Sequence, residues 1–157
     1  QKISPYELAV NPFEAIHHKW AMITTQSGEK VNTMVASWGG VGIMWNRPVT
    51  WVFLRPQRFT RELLDRSERF SVCFLPEQYR QQMNYCGSHS GRAEEKLAVC
   101  GFEAVALELA LTCRKLYRQP MDPACFLDHE PDTRWYPEKD YHIMYVSEIL
   151  GAYQGEL

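Results

Sequence analysis

The chain has 157 residues, 17 Lys+Arg against 19 Asp+Glu for a formal charge of −2, and 45% hydrophobic residues. A chain this long buries about 70% of the surface it exposes when unfolded, so a single globular domain over residues 1–157 is expected, and disorder, collagen and coiled coil are excluded. The lack of a basic excess argues against nucleic acid as a partner. The longest apolar runs, such as Val49 to Leu54, fall short of the ~20 residues a bilayer needs, and no basic-then-apolar leader opens the sequence, so no membrane partner and a cytoplasmic location are expected.

In chain order the signal is mainly β. Trp20 to Thr25 and Val31 to Trp38 read as two strands joined by turn chemistry at Gln26 to Lys30. Gly39, Gly40 and Gly42 then read as a break in regular structure. Val49 to Arg55, rich in β-branched and aromatic residues, suits a strand covered on both faces. Thr60 followed by Glu62, Leu63 and Leu64 predicts a short capped helix, and Phe70 to Leu75 another strand. Pro76 and Gly87 frame a helix over Gln78 to Cys86, and a further helix is expected after Arg92. Val105 to Arg114 alternates apolar and polar residues at the period of a half-buried strand. The four prolines between Tyr117 and Pro137 predict a long surface excursion, and Tyr141 to Leu150 a closing strand. Six strands with helices inserted irregularly favour an antiparallel barrel over a doubly wound parallel sheet.

The five cysteines, Cys73, Cys86, Cys100, Cys113 and Cys125, lie twelve to fourteen residues apart with no C-x-x-C pair. That is neither zinc spacing nor a secreted disulfide framework, and reduced thiols acting as small hydrophobes are expected. The adjacent His17 and His18 point in different directions on either a strand or a helix, so they read as surface or cap residues. No metal site is expected.

Three segments carry candidate chemistry. Asn32, Thr33, Ala36, Ser37 and Trp38 place polar groups, small residues and one large aromatic at a strand end running into Gly39 and Gly40. Such a stretch lets a flat ligand approach the backbone, although an ordinary strand entering a turn has the same composition. Arg55 to Thr60 offers two guanidinium groups and a hydroxyl before a helix, which is an anion site in outline or a solvated pair of arginines. Gly87 to Arg92, with Ser90, Gly91 and then Lys96, is either a third donor segment or a surface loop. There is no G-x-G-x-x-G after a strand, no P-loop, no H-E-x-x-H and no G-x-S-x-G, so no side chain is assigned as a catalytic nucleophile.

Taken together, N-T-M-V-A-S-W-G-G-V-G-I-M-W-N-R-P-V, F-L-R-P-Q-R-F-T, C-G-S-H-S-G-R, K-L-Y, W-Y-P and D-Y-H-I-M-Y-V-S-E-I occur in an order that resembles the flavin reductase-like family of FMN-binding split barrels. The resemblance runs from about Asn11 to Tyr153 and is closest to the flavoredoxin subgroup. It implies a mainly β fold, a six-stranded antiparallel split barrel with short helices, a homodimer, and FMN near the dimer interface. Asn32 to Trp38 would line the flavin ring and ribityl chain, with Arg58 and Thr60 at the phosphate and Ser90, Gly91 and Lys96 approaching from the third segment. The stretch from Gly101 to Leu111 is shorter than is usual in the family.

In such a protein the cofactor carries the redox step and the chain positions it. The implied function is an FMN-dependent oxidoreductase that takes electrons from NAD(P)H and passes them through flavin N5 to a flavin or an electron-acceptor protein. The alternative is an FMN-carrying electron-transfer module that does not itself oxidise NAD(P)H.

Overall fold

A computed structural model of the chain describes residues 1–102 and 107–155. Within them, one antiparallel sheet contains β1 (Lys2–Ile3), β2 (Ala21–Ser27), β3 (Lys30–Ala36), β4 (Gly39–Met44), β5 (Arg47–Leu54), β6 (Arg69–Phe74), β7 (Leu109–Pro120) and β8 (Ile143–Gln154). The order is β3-β2-β6-β7-β8-β5-β4, with β1 added to the end of β8. The mainly β expectation holds, but there are eight strands rather than six. The two additions are the short β1 and the glycine stretch, which forms β4 instead of interrupting the sheet.

The reason for the second correction is Trp51 on β5. It pairs with Gly40, and a Cβ on residue 40 would lie 2.3 Å from its indole Cζ2. At Gly39, φ is +143° and a Cβ would lie 2.6 Å from the Trp51 carbonyl oxygen. The glycines therefore admit a large ring onto the strand face, and the ladder to β5 continues through them. Trp45 and Asn46 then turn the chain with φ of 51° and 56°, the left-handed pair of a type I′ hairpin.

The helices are short. They comprise α1 (Phe59–Asp65), α2 (Arg80–Ser88), α3 (Lys96–Val99) and α4 (Glu130–Trp135). Thr60 is not the cap of α1. Arg58 holds the N-cap position without a side-chain cap, and Thr60 lies buried in the first turn. Gly87 is inside α2 rather than past its end. His17 and His18 sit exposed in a π-helical turn, Glu14–Lys19. The strand expected from Val105 begins at Leu109 among the described residues and runs six residues beyond Arg114, so the excursion starts only after Pro120. Residues 103–106 of that expectation, and of the shortened segment, lie outside the described residues. The stretch expected to close the sheet is instead its interior strand, flanked by β7 along its length and by β5 and β1 on the other side.

The main core gathers Ile23, Leu54, Leu64, Val72, Leu111, Cys113 and Tyr145 inside the sheet. A smaller cluster of Met22, Leu75, Met83 and Cys86 seats α2 against the outside of β2. Asp65, at the end of α1, accepts hydrogen bonds from Tyr145 Oη (2.7 Å), Arg118 Nε (2.9 Å) and Arg61 (3.3 Å), which tie that helix to β7 and β8. The sheet is not closed by a ladder between its edge strands β3 and β4, although only Ser37 and Trp38 separate them in sequence. The candidate site lies beside this open seam.

Candidate functional site

Two cavities adjoin β3. The first, about 350 Å³, is lined by Met34 to Trp38 together with Phe53, Arg55, Arg58, Trp135 and His142. The second, about 330 Å³, is lined by Asn32, Met34, Arg55, Gln57 to Thr60, Gly87 to Gly91 and Lys96. Met34, Arg55 and Arg58 line both, so the two form one trough. Each part reaches the lower end of the roughly 300–1,000 Å³ usual for small-molecule sites.

Nine of the ten sequence-predicted residues line this trough. Asn32, Arg58, Thr60, Ser90, Gly91 and Lys96 line one end, and Ala36, Ser37 and Trp38 the other, with Arg58 reaching both. Thr33 lines neither. Strand alternation turns it to the other face, where its buried hydroxyl lies 2.8 Å from that of Thr24, its partner on β2.

The polar end gathers cationic side chains. Lys96 is only 4% exposed, yet among the described residues its ammonium has no carboxylate partner and donates only to the Cys86 carbonyl, at 3.0 Å. Burial pushes its pKa down, and nearby Arg58 lowers it further. A buried, unpaired ammonium is costly unless a negative group arrives to share the site. Arg58 likewise makes no side-chain hydrogen bond or ion pair among the described residues. Arg55 differs, since it pairs with Asp140 at 3.0 Å and donates to the Trp135 carbonyl at 3.1 Å. Its charge is used to hold the segment after β7 against the site.

Between the two ends sits Asn32. Its Nδ2 donates to Thr60 Oγ1 at 2.9 Å, which leaves the Thr60 hydroxyl proton free, while its buried Oδ1 has no donor among the described residues. Gly91 folds over this amide; a Cβ there would come 2.0 Å from Oδ1. Arg92 fixes the same loop to α1 through paired bonds to Glu62 at 2.8 and 2.5 Å.

The other end is aromatic. Trp38 packs edge-on against Trp135 with centroids 5.2 Å apart and lies 5.0 Å from the His142 ring. His142 is 8% exposed, and its Nδ1 is 2.7 Å from Tyr136 Oη. Burial, reinforced by Arg55, lowers its pKa to about 4, so the ring is neutral. The neutral ring and the Tyr136 hydroxyl, which also lies 3.5 Å from Met121 Sδ, share one hydrogen bond at Nδ1 in which either can be the donor.

Trp135, His142 and Phe53 were not singled out from the sequence, and Met34 only as part of the Asn32–Trp38 segment. Trp135 and His142 fall within the W-Y-P and D-Y-H blocks, but no local pattern distinguishes them from core aromatics; pairing of β8 with β5 and the Arg55–Asp140 bridge bring them here. Among the described residues no cluster of His, Cys, Asp and Glu can hold a metal, and no helix is long and apolar enough to cross a membrane.

The trough suits a planar ring joined through a polyhydroxyl chain to an anion. Aromatic walls, an orphaned acceptor and unpaired cations follow one another in that order, so the residues present fit FMN. Among solved structures, the chain resembles an FMN-binding domain of a flavin reductases-like enzyme from Shewanella baltica OS155 with a TM-score of 0.69 and 20% identity, over 99% of this chain and 76% of that one. It resembles flavoredoxin from Methanosarcina acetivorans with a TM-score of 0.67 and 21% identity, over 88% and 69%. An FMN-binding protein from Thermus thermophilus, with bound p-hydroxybenzaldehyde, gives 0.65 and 23%, over 95% and 81%. These likenesses establish the split-barrel fold. None of the curated proteins matches. The family described as flavin reductase like domain matches residues 13–156, and the chain therefore belongs to that family.

Proposed function

We propose that this protein binds FMN in the trough and works as an oxidoreductase, accepting electrons from NAD(P)H and delivering them to a flavin or an acceptor protein. The observation that carries the reading is Lys96, a buried ammonium that, among the described residues, has no counter-ion, next to Arg58 and the Thr60 hydroxyl, which among those residues make no side-chain ion pair and no donated hydrogen bond. Those three groups would hold the phosphate. Asn32, beneath Gly91, would accept from a ribityl hydroxyl, and Ala36, Ser37 and Trp38 would border the ring. FMN, when bound, supplies hydride acceptance and onward electron transfer. The chain supplies orientation, an aromatic wall, and the neutral imidazole of His142.

Homodimerisation belongs to the same proposal. Ile43 (62% exposed), Met44, Trp45 (51% exposed) and Tyr117 form an apolar surface around the β4–β5 hairpin, with Trp45 and Tyr117 rings 6.4 Å apart. Contiguous exposed apolar surface of this kind marks an interaction face.

The test is anaerobic addition of NADH or NADPH to the FMN-loaded protein. Rapid bleaching of the flavin absorbance is the expected result. Colour that persists with both nicotinamides, but is lost on adding a reduced electron-carrier protein, would make the chain an electron-transfer module instead.

A further inference from the structure

Cys86 and Cys100 bring their sulfurs to 3.4 Å, by far nearer to each other than their spacing in sequence suggests. Cys86 lies near the end of α2 and is fully buried; Cys100 follows directly after α3 and is partly exposed. Between them runs the segment that forms one wall of the anion end, Gly87 to Gly91 and Lys96. The carbonyl of Cys86 is also the acceptor that holds the Lys96 ammonium. Both ends of the anion loop are thus anchored at one thiol pair.

We propose that Cys86 and Cys100 form a reversible disulfide that ties the two ends of the anion-binding loop together. A disulfide needs the sulfurs at about 2.05 Å, so they must close by a little over 1 Å. The four-residue α3, which carries Lys96 and leads into Cys100, is the lighter partner and can supply that movement. A peroxide is the oxidant. Cys100, the more accessible of the two, gives up its proton and its sulfur attacks a peroxide oxygen; the O–O bond breaks, the departing hydroxide takes up that proton to leave as one water, and a sulfenic acid results. The Cys86 sulfur then attacks the Cys100 sulfur, its proton and the departing hydroxide form a second water, and the S–S bond is made. Two thiols lose two electrons and two protons in all, and one hydrogen peroxide becomes two waters. Burial pushes the Cys86 thiol up to about 12, which keeps it protonated until that second step.

The consequence for ligand binding rests on the anion-site reading, whereas bond formation does not. The reduced full chain is treated with hydrogen peroxide, remaining thiols are blocked, and peptides are mapped by mass. The expected product joins the Cys86 and Cys100 peptides, is lighter by two hydrogens, and reverts with dithiothreitol. Amide exchange across residues 87–95 should slow about tenfold or more in the oxidised form. In Cys100→Ser both effects should vanish. Accumulation of Cys100 as sulfinic acid with Cys86 still a thiol would overturn the proposal, as would equal slowing of exchange in Cys100→Ser. If the bond forms and slows exchange, but inorganic phosphate and FMN bind neither form, the redox pair stands and the anion-site reading falls.

Discussion

On the proposed function, Lys96 is the residue at which stability and ligand binding pull apart. Replacing a buried unpaired charge by an apolar side chain of similar length is often neutral or stabilising. Lys96→Met should therefore leave the thermal midpoint of the ligand-free protein unchanged or raised, while FMN affinity falls. A large drop in midpoint would instead make Lys96 a structural strut. His142 provides a pH signature. Its folded pKa of about 4 lies below the ordinary 6.5, so between those values the unfolded chain binds a proton that the folded chain does not. Stability is fully present above pH 6.5 and is lost as pH falls toward 4, by roughly 3 kcal/mol over the whole window. Urea midpoints measured at stepped pH should show this slope in the wild type and lose it in His142→Gln; parallel slopes would remove His142 as the source. Neither property was readable from sequence. That Arg58, Thr60 and Lys96 offer polar groups was legible, because side-chain chemistry is written in residue type, and the fold brings the three to one cavity. Burial of Lys96 and the neutral state of His142 depend on neighbours distant in the chain.

At the scale of elements, the strands that alternate or are rich in β-branched residues were legible, and β4 was not. Glycine read locally means a break, but here Trp51 on the paired strand overrides the local preference. Gly40→Ala should cost about 1–3 kcal/mol, since the new methyl meets the indole and the ring must move. In a Trp51→Ala background most of that cost should disappear; an equal cost in both backgrounds would place the strain in the backbone alone. The end of β7 was hidden for a related reason. Its pairing with β8 continues past bulges at Thr112/Cys113 and Lys115/Tyr117, where period-two alternation slips while the ladder holds. The aromatic wall was equally out of reach, because Trp135 and Trp38 are neighbours only after the excursion is pinned by Arg55 and Asp140.

For the whole molecule, the exposed β4–β5 hairpin is the surface on which the proposed dimer rests. An apolar tip carrying Trp45 at positive φ is an expensive surface for a monomer. Trp45→Ser should shift the sedimentation profile from dimer toward monomer; a wild type that sediments as a monomer at all concentrations would contradict the dimer. The central claim, that one trough takes a planar ring at Trp38 and its phosphate at Arg58, is tested most directly by titrating FMN and riboflavin into the wild type and Arg58→Ala. A charge-assisted hydrogen bond contributes about 1.5–3 kcal/mol, so the wild type should bind FMN about 10- to 150-fold more tightly than Arg58→Ala does. Riboflavin, lacking the phosphate, should bind both proteins alike. Equal loss of affinity for FMN and riboflavin, or no loss for either, would contradict the account.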